Sequence, residues 1–102
     1  MARFNVYRMR DVSTVPLVVD VQADLLEDLR TRVVIPLLPL PDAEREAAPR
    51  LKPIVDVAGE PYVLLTTDLS AIPISTLGEW VTSIQGQRQA IVDALDFLFQ
   101  GF

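Results

Sequence analysis

Three aspartates stand in or beside apolar, β-branched runs: Asp20 in VVDVQ, Asp56 in IVDV and Asp68 in TTDL. A carboxyl group buried in such a run, with its pKa pushed up, can act as a general acid. Paired carboxylates are the one catalytic device that this composition readily supplies. The chain has no histidine and no cysteine. The commonest general base, the commonest metal ligand and every thiolate site are therefore missing, and the serines and threonines have no imidazole to activate them. No glycine-rich phosphate loop, His-Glu-x-x-His pair or nucleophile elbow occurs. For each aspartate a structural reading is favoured: it accepts hydrogen bonds from turn or backbone groups, or pairs with Arg30, Arg32 or Lys52. Arg30 and Arg32 could also touch phosphate, but in a chain of net charge −5 they make a weak case for nucleic acid. The residues point to binding rather than catalysis, with no metal and no cofactor.

The elements expected to hold these residues are mostly strands. RFNVY alternates, with Phe4 and Val6 on one face and Asn5 and Tyr7 on the other. PLVVDVQ and RVVIPLL are short and β-branched, and Pro36 marks an edge, a bulge or a strand end. PIVDV and YVLLTTDL flank AGEP, which reads as a hairpin turn around Gly59. This spacing, without long helices between, predicts a small antiparallel sheet or partly open barrel. LPLPDAEREAAPR, punctuated by Pro39, Pro41 and Pro49, reads as an exposed connection. Within it, DAEREAA suits one or two helical turns with Asp42 as N-cap.

The last quarter reads as helical. Thr76 and Glu79 have capping-box spacing, and Leu77, Trp80, Val81 and Ile84 follow at i, i+3, i+4 and i+7. That predicts a short helix interrupted at Gly86. A second helix is expected from about Gln87, with Ile91, Ala94, Leu95, Leu98, Phe99 and Phe102 along one apolar stripe. Phe97 falls well off that stripe and Gln100 lies opposite it. Gly101 suits the left-handed position that ends a helix. Asp93 and Asp96 sit toward the negative end of the helix dipole, where each is unfavourable by roughly a few tenths of a kcal/mol, so stability does not explain them.

At 102 residues the chain is one domain with enough length for one core. Half of its residues (50%) are hydrophobic, which points to apolar surface covered by a second subunit. MARFNVYRMR lacks the apolar centre of a secretory signal, and no apolar run approaches the ~18 residues of a membrane span, so a cytoplasmic location is expected.

Several blocks taken together are more specific. FNVYR, LVVDVQADLL, RVVIPLL, YVLLTTDLSAIPISTLGE and FLFQGF occur in the order, and at nearly the spacing, of the CcdB family. The chain resembles that family over essentially its whole length. These proteins are the toxins of plasmid-addiction modules, toxin–antitoxin pairs whose toxin poisons DNA gyrase. The resemblance implies a mainly β fold with a C-terminal α-helix: a small, antiparallel, SH3-like and partly open barrel with a minor sheet, related to the MazF and Kid ribonucleases. It implies a homodimer that enters the DNA gyrase A subunit, traps it covalently on cleaved DNA and cuts nothing itself. A CcdA-like antitoxin would neutralise it, and neither nucleic acid nor membrane would be contacted directly.

Carried onto matching positions, the resemblance implies gyrase contacts at Gln22, Asp24, Leu25, Leu26, Asp96, Phe99, Gln100, Gly101 and Phe102. It implies antitoxin contacts at Arg8, Arg10, Asp11 and Thr14, and in the poorly matching connection at Asp42, Glu44, Arg45, Glu46 and Arg50. One departure stands out. Toxic members of the family typically end in Trp-Gly-Ile, where the tryptophan stacks on a gyrase arginine, whereas this chain has Gln100-Gly101-Phe102. A cation–π contact of that kind is worth roughly 0.5–2 kcal/mol. The alternatives are a homologue that keeps antitoxin binding without poisoning gyrase, and a ribonuclease like the fold's relatives, which would need a general base and a basic groove.

Overall fold

Long-range strand pairing dominates the architecture. The computed structural model describes residues 2–11 and 15–101. Its strands are β1 (Asn5–Met9), β2 (Leu17–Asp20), β3 (Thr31–Pro39), β4 (Ile54–Val57), β5 (Glu60–Leu64), β6 (Ser70–Pro73) and β7 (Leu77–Ser83). They form a seven-stranded sheet in the order β4-β5-β3-β2-β1-β7, with β6 also paired to β3. Every pairing is antiparallel, and the sheet curls into a half-barrel. The β4–β5 hairpin joins the rest through β3, so the smaller part of the sheet is continuous with the larger. A short helix, α1 (Leu40–Ala43), follows β3, and the long helix α2 (Arg88–Gln100) closes the fold.

Period-2 alternation divides the strands among three apolar clusters, the smallest joining Val63 of β5 to Ala43 and Leu65. Val6, Leu17, Val19, Ile35, Leu37, Val55, Val57 and Leu64 point to the main core, where Ile91 and Ala94 of α2 and Phe4 meet them. Tyr7, Val18, Val34 and Leu77 form a second cluster on the other side. All four residues of β2 are buried, because that strand has core on both faces. The Ala58-Gly59 turn between β4 and β5 has φ of +52° and +89°, the two positive values of a type I′ hairpin. Gly59 takes that conformation freely; Ala58 does not. The β4 edge is covered where the Gln87 amide donates to Asp56 O (2.7 Å) and its Oε1 accepts from Asp56 N (2.8 Å), tying the entry of α2 to the sheet.

Four expectations need correction. The segment Leu77–Ser83 is a strand, not a helix. Its Trp, Val and Thr favour a pleated surface, and pairing with β1 outweighs the accidental helical spacing. Thr76 Oγ1 donates to Pro73 O (2.7 Å) instead of capping a helix, and Gly86 lies in a 3₁₀ turn before α2. Two register shifts against β1 bring Gly78 close to its neighbour, where a Cβ would stand 3.0 Å from Arg8 O. Pro36 sits in the middle of β3, at the point where that strand changes partner from β6 to β5. Asp42 lies within α1, whose N-cap is Pro39. Finally, Phe99 is 69% exposed, whereas Phe97 is half-buried, so the two phenylalanines exchange the places expected of them.

Candidate partner-binding site

The segment after β2 is built on a buried polar network. Asp20 and Arg32 are both 0% exposed, and Arg32 Nη2 lies 2.7 Å from Asp20 Oδ2 while Nε donates to the same oxygen at 2.8 Å. Asp20 Oδ1 accepts from Gln22 N (3.0 Å). Burial pushes the Asp20 carboxyl above the ordinary carboxylate range, and the hydrogen bonds from Arg32 and from the Gln22 backbone pull it part of the way back. Arg32 Nη1 is buried without a hydrogen-bond partner, so the network is not fully satisfied. Sequestered in this way, Arg32 is not placed to touch phosphate, which corrects that suggestion. Asp56 and Asp68 are exposed, so neither is the buried acid that a general-acid role requires.

Gln22 extends the network into the loop. It is 6% exposed; its Oε1 accepts from Val33 N (3.0 Å) and its Nε2 donates to Leu26 O (2.8 Å). Both ends of the amide are thus engaged inside the protein, and Gln22 holds the loop rather than facing outward. Asp24–Leu26 forms one 3₁₀ turn, and Asp24 Oδ1 accepts from Arg3 N (2.7 Å). This framework presents Leu25 at 95% exposure, Leu26 at 48% and Leu29 at 50%. Leu29 is an exposed apolar residue that sequence reasoning missed, although its place in DLLEDL beside two other leucines was a usable signal. Phe4, with φ of +71°, pins the base of this region: its N donates to Asp20 O, its carbonyl accepts from Ile84 N (2.9 Å), and Arg3 lies over its ring at 4.7 Å.

The helix end presents a second apolar group. Phe99, Gln100 and Gly101 are exposed, and Gly101 takes φ of +79° with its N donating to Phe97 O (2.9 Å), the left-handed ending expected for it. Asp96 is exposed and lines a cavity of about 370 Å³ together with Pro49, Arg50, Ala90 and Asp93. Phe102 lies outside the described residues. Asp24 borders the first turns of α2, near Arg88 and Gln89. The loop and the helix end are therefore separated along α2 by roughly 15 Å, at about 1.5 Å per residue.

The residues expected to meet an antitoxin fall into two groups. Arg8, Arg10 and Asp11 are exposed at the end of β1, where Arg10 Nη2 donates to Leu77 O (3.3 Å). Thr14 lies outside the described residues. Asp42, Glu44, Arg45 and Glu46 are exposed around a shallow concavity, and Glu46 pairs with Lys52 at 2.8 Å. Arg50 is exposed, but its guanidinium stacks on Phe97, 4.2 Å from the ring centroid. The structure thus brings Arg50 and Asp96, expected to serve different partners, to one cavity.

These observations share a pattern: polar networks inside, exposed leucines and a phenylalanine outside, and no assembled acid–base pair at the three aspartates first considered. No helix among the described residues is long and apolar enough to cross a membrane. The family model described as CcdB protein matches residues 3–101. The chain therefore belongs to the CcdB family, the toxins of toxin–antitoxin systems.

Proposed function

We propose that this chain is a gyrase poison: a homodimeric toxin that binds the DNA gyrase A subunit, traps the cleaved-DNA complex without making or breaking bonds itself, and is neutralised by a CcdA-like antitoxin. The observation that carries this reading is the exposure of Leu25, Leu26 and Phe99, at positions that the family resemblance assigns to target contacts. Large apolar side chains held in water are costly unless a partner covers them, at about 25 cal/mol per Å². Asp24, Asp96, Gln100, Gly101 and Phe102 would complete the gyrase contact, with Gln22 holding the loop. By the same resemblance Arg8, Arg10, Asp11, Thr14, Asp42, Glu44, Arg45, Glu46 and Arg50 would meet the antitoxin. The test mixes purified protein with gyrase and supercoiled DNA, and separately with RNA. Accumulation of gyrase-linked DNA breaks, with RNA intact, is expected. Cleaved RNA would establish a ribonuclease instead, and neither product would leave an antitoxin-binding protein. Sedimentation at micromolar concentration should give about twice the chain mass; a clean monomer would refute the dimer.

A further inference from the structure

Helix α2 loses its grip on the core before it ends. Ile91 and Ala94 are its buried residues; Leu95, Phe97 and Leu98 are half-buried, and Phe99 and Gln100 are exposed. Helix ends held this weakly fray. The last turn contains no basic residue to complement the dipole, and Asp93 and Asp96 add negative charge just before it. A cation arrives from elsewhere in the chain. Arg50 lies in the turn spanning residues 49–51, which is closed by paired hydrogen bonds between Ala48 and Lys52, at 3.0 Å from Ala48 N to Lys52 O and 2.8 Å from Lys52 N to Ala48 O. Lys52 is itself held by Glu46. From this braced turn the guanidinium lies over Phe97 at 4.2 Å and borders the cavity that Asp93 and Asp96 line.

We propose that Arg50 is a positioning residue for the end of α2: stacked on Phe97, it orients the turn that carries Phe99, Gln100 and Gly101. Phe97 is the lever because its carbonyl accepts the Gly101 N–H that ends the helix. Arg50 also brings a positive charge to the cavity that Asp93 and Asp96 line, near the negative end of the helix dipole. This differs from the antitoxin contact implied for Arg50 by family resemblance. Its consequence for the target rests on the gyrase reading above, but the geometry does not.

Amide hydrogen exchange of the full chain tests the clamp without gyrase. Arg50→Ala should speed exchange at Gly101 by roughly two- to fivefold, the equivalent of one exposed cation–π contact, with the overall unfolding midpoint unchanged. Phe97→Leu keeps apolar contact but removes the ring, and should give a similar increase. Added to Phe97→Leu, Arg50→Ala should then give less than its effect alone. In the gyrase assay Arg50→Ala should raise the protein concentration needed for DNA breaks by a similar factor. Unchanged exchange at Gly101 in Arg50→Ala, or full additivity of the two substitutions, overturns the clamp. Failure of the unmodified protein to poison gyrase defeats the functional reading alone, since the exchange result still decides the role of Arg50.

Discussion

The loop after β2 and the end of α2 both present apolar residues to solvent, but they are held in opposite ways. The loop stands on a buried foundation of Asp20, Arg32 and Gln22, anchored from the sheet. The helix end hangs from a surface contact, Arg50 on Phe97, and from half-buried leucines. A buried, partly unsatisfied ion pair contributes little net stability yet is expensive to break, because the surviving partner is stranded in a low dielectric. A surface stack can be broken cheaply. Damage to the loop's foundation should therefore appear as lost folding stability, and damage to the helix end as lost orientation and lost binding.

The largest expected effect breaks the loop's foundation. Asp20→Ala leaves Arg32 buried without its partner and Gln22 N without its acceptor, and should destabilise the fold by about 3–5 kcal/mol in urea unfolding. A change below about 1 kcal/mol would mean that the network relaxes to water and does not anchor the loop. Next comes the loop's tip. Leu25→Asp should alter stability by less than about 0.5 kcal/mol, since the side chain is 95% exposed, and should weaken gyrase binding by about 2 kcal/mol or more if Leu25 is a central contact. Retained binding would remove the loop tip from the interface.

The helix end should respond in the other direction. Gln100→Trp restores the aromatic platform that the family resemblance implies and should tighten gyrase binding by roughly 0.5–2 kcal/mol, measured by titration, with stability unchanged. Weaker binding would show that the glutamine is matched to its own target. The smallest effect lies outside both regions and serves as a control. Ala58→Asn, at a positive-φ position of the type I′ turn, should raise stability by about 0.5–1 kcal/mol without altering binding.

Local chemistry was legible where one rule acted alone. The Gly59 hairpin, the helix from about Gln87 and the Gly101 ending follow from turn residues and 3.6-residue spacing. Leu77–Ser83 was misread because Leu77, Trp80, Val81 and Ile84 satisfy a helical template while the same stretch has strand propensity; only its long-range pairing with β1 decides. Phe97 and Phe99 exchanged places because helical spacing fixes angles, not neighbours. A braced turn some 47 positions earlier supplies the cover for Phe97. The Asp20–Arg32 pair was visible as one option among three cations, but its complete burial depends on the β2–β3 register. Of the candidate site, Leu25, Leu26 and the helix end were picked out by family resemblance, whereas exposed Leu29 was missed and the inward role of Gln22 required the fold.

Gyrase poisoning by the helix end is tested most directly by comparing the full chain with one lacking Gln100–Phe102 in a single cleavage assay with gyrase and supercoiled DNA. The full chain should accumulate gyrase-linked DNA breaks. The truncated chain should fold as a dimer with its unfolding midpoint nearly unchanged, bind antitoxin and produce none. Equal poisoning by both chains would contradict the proposed role of the helix end, and loss of folding on truncation would show that these residues close the helix instead of meeting a target.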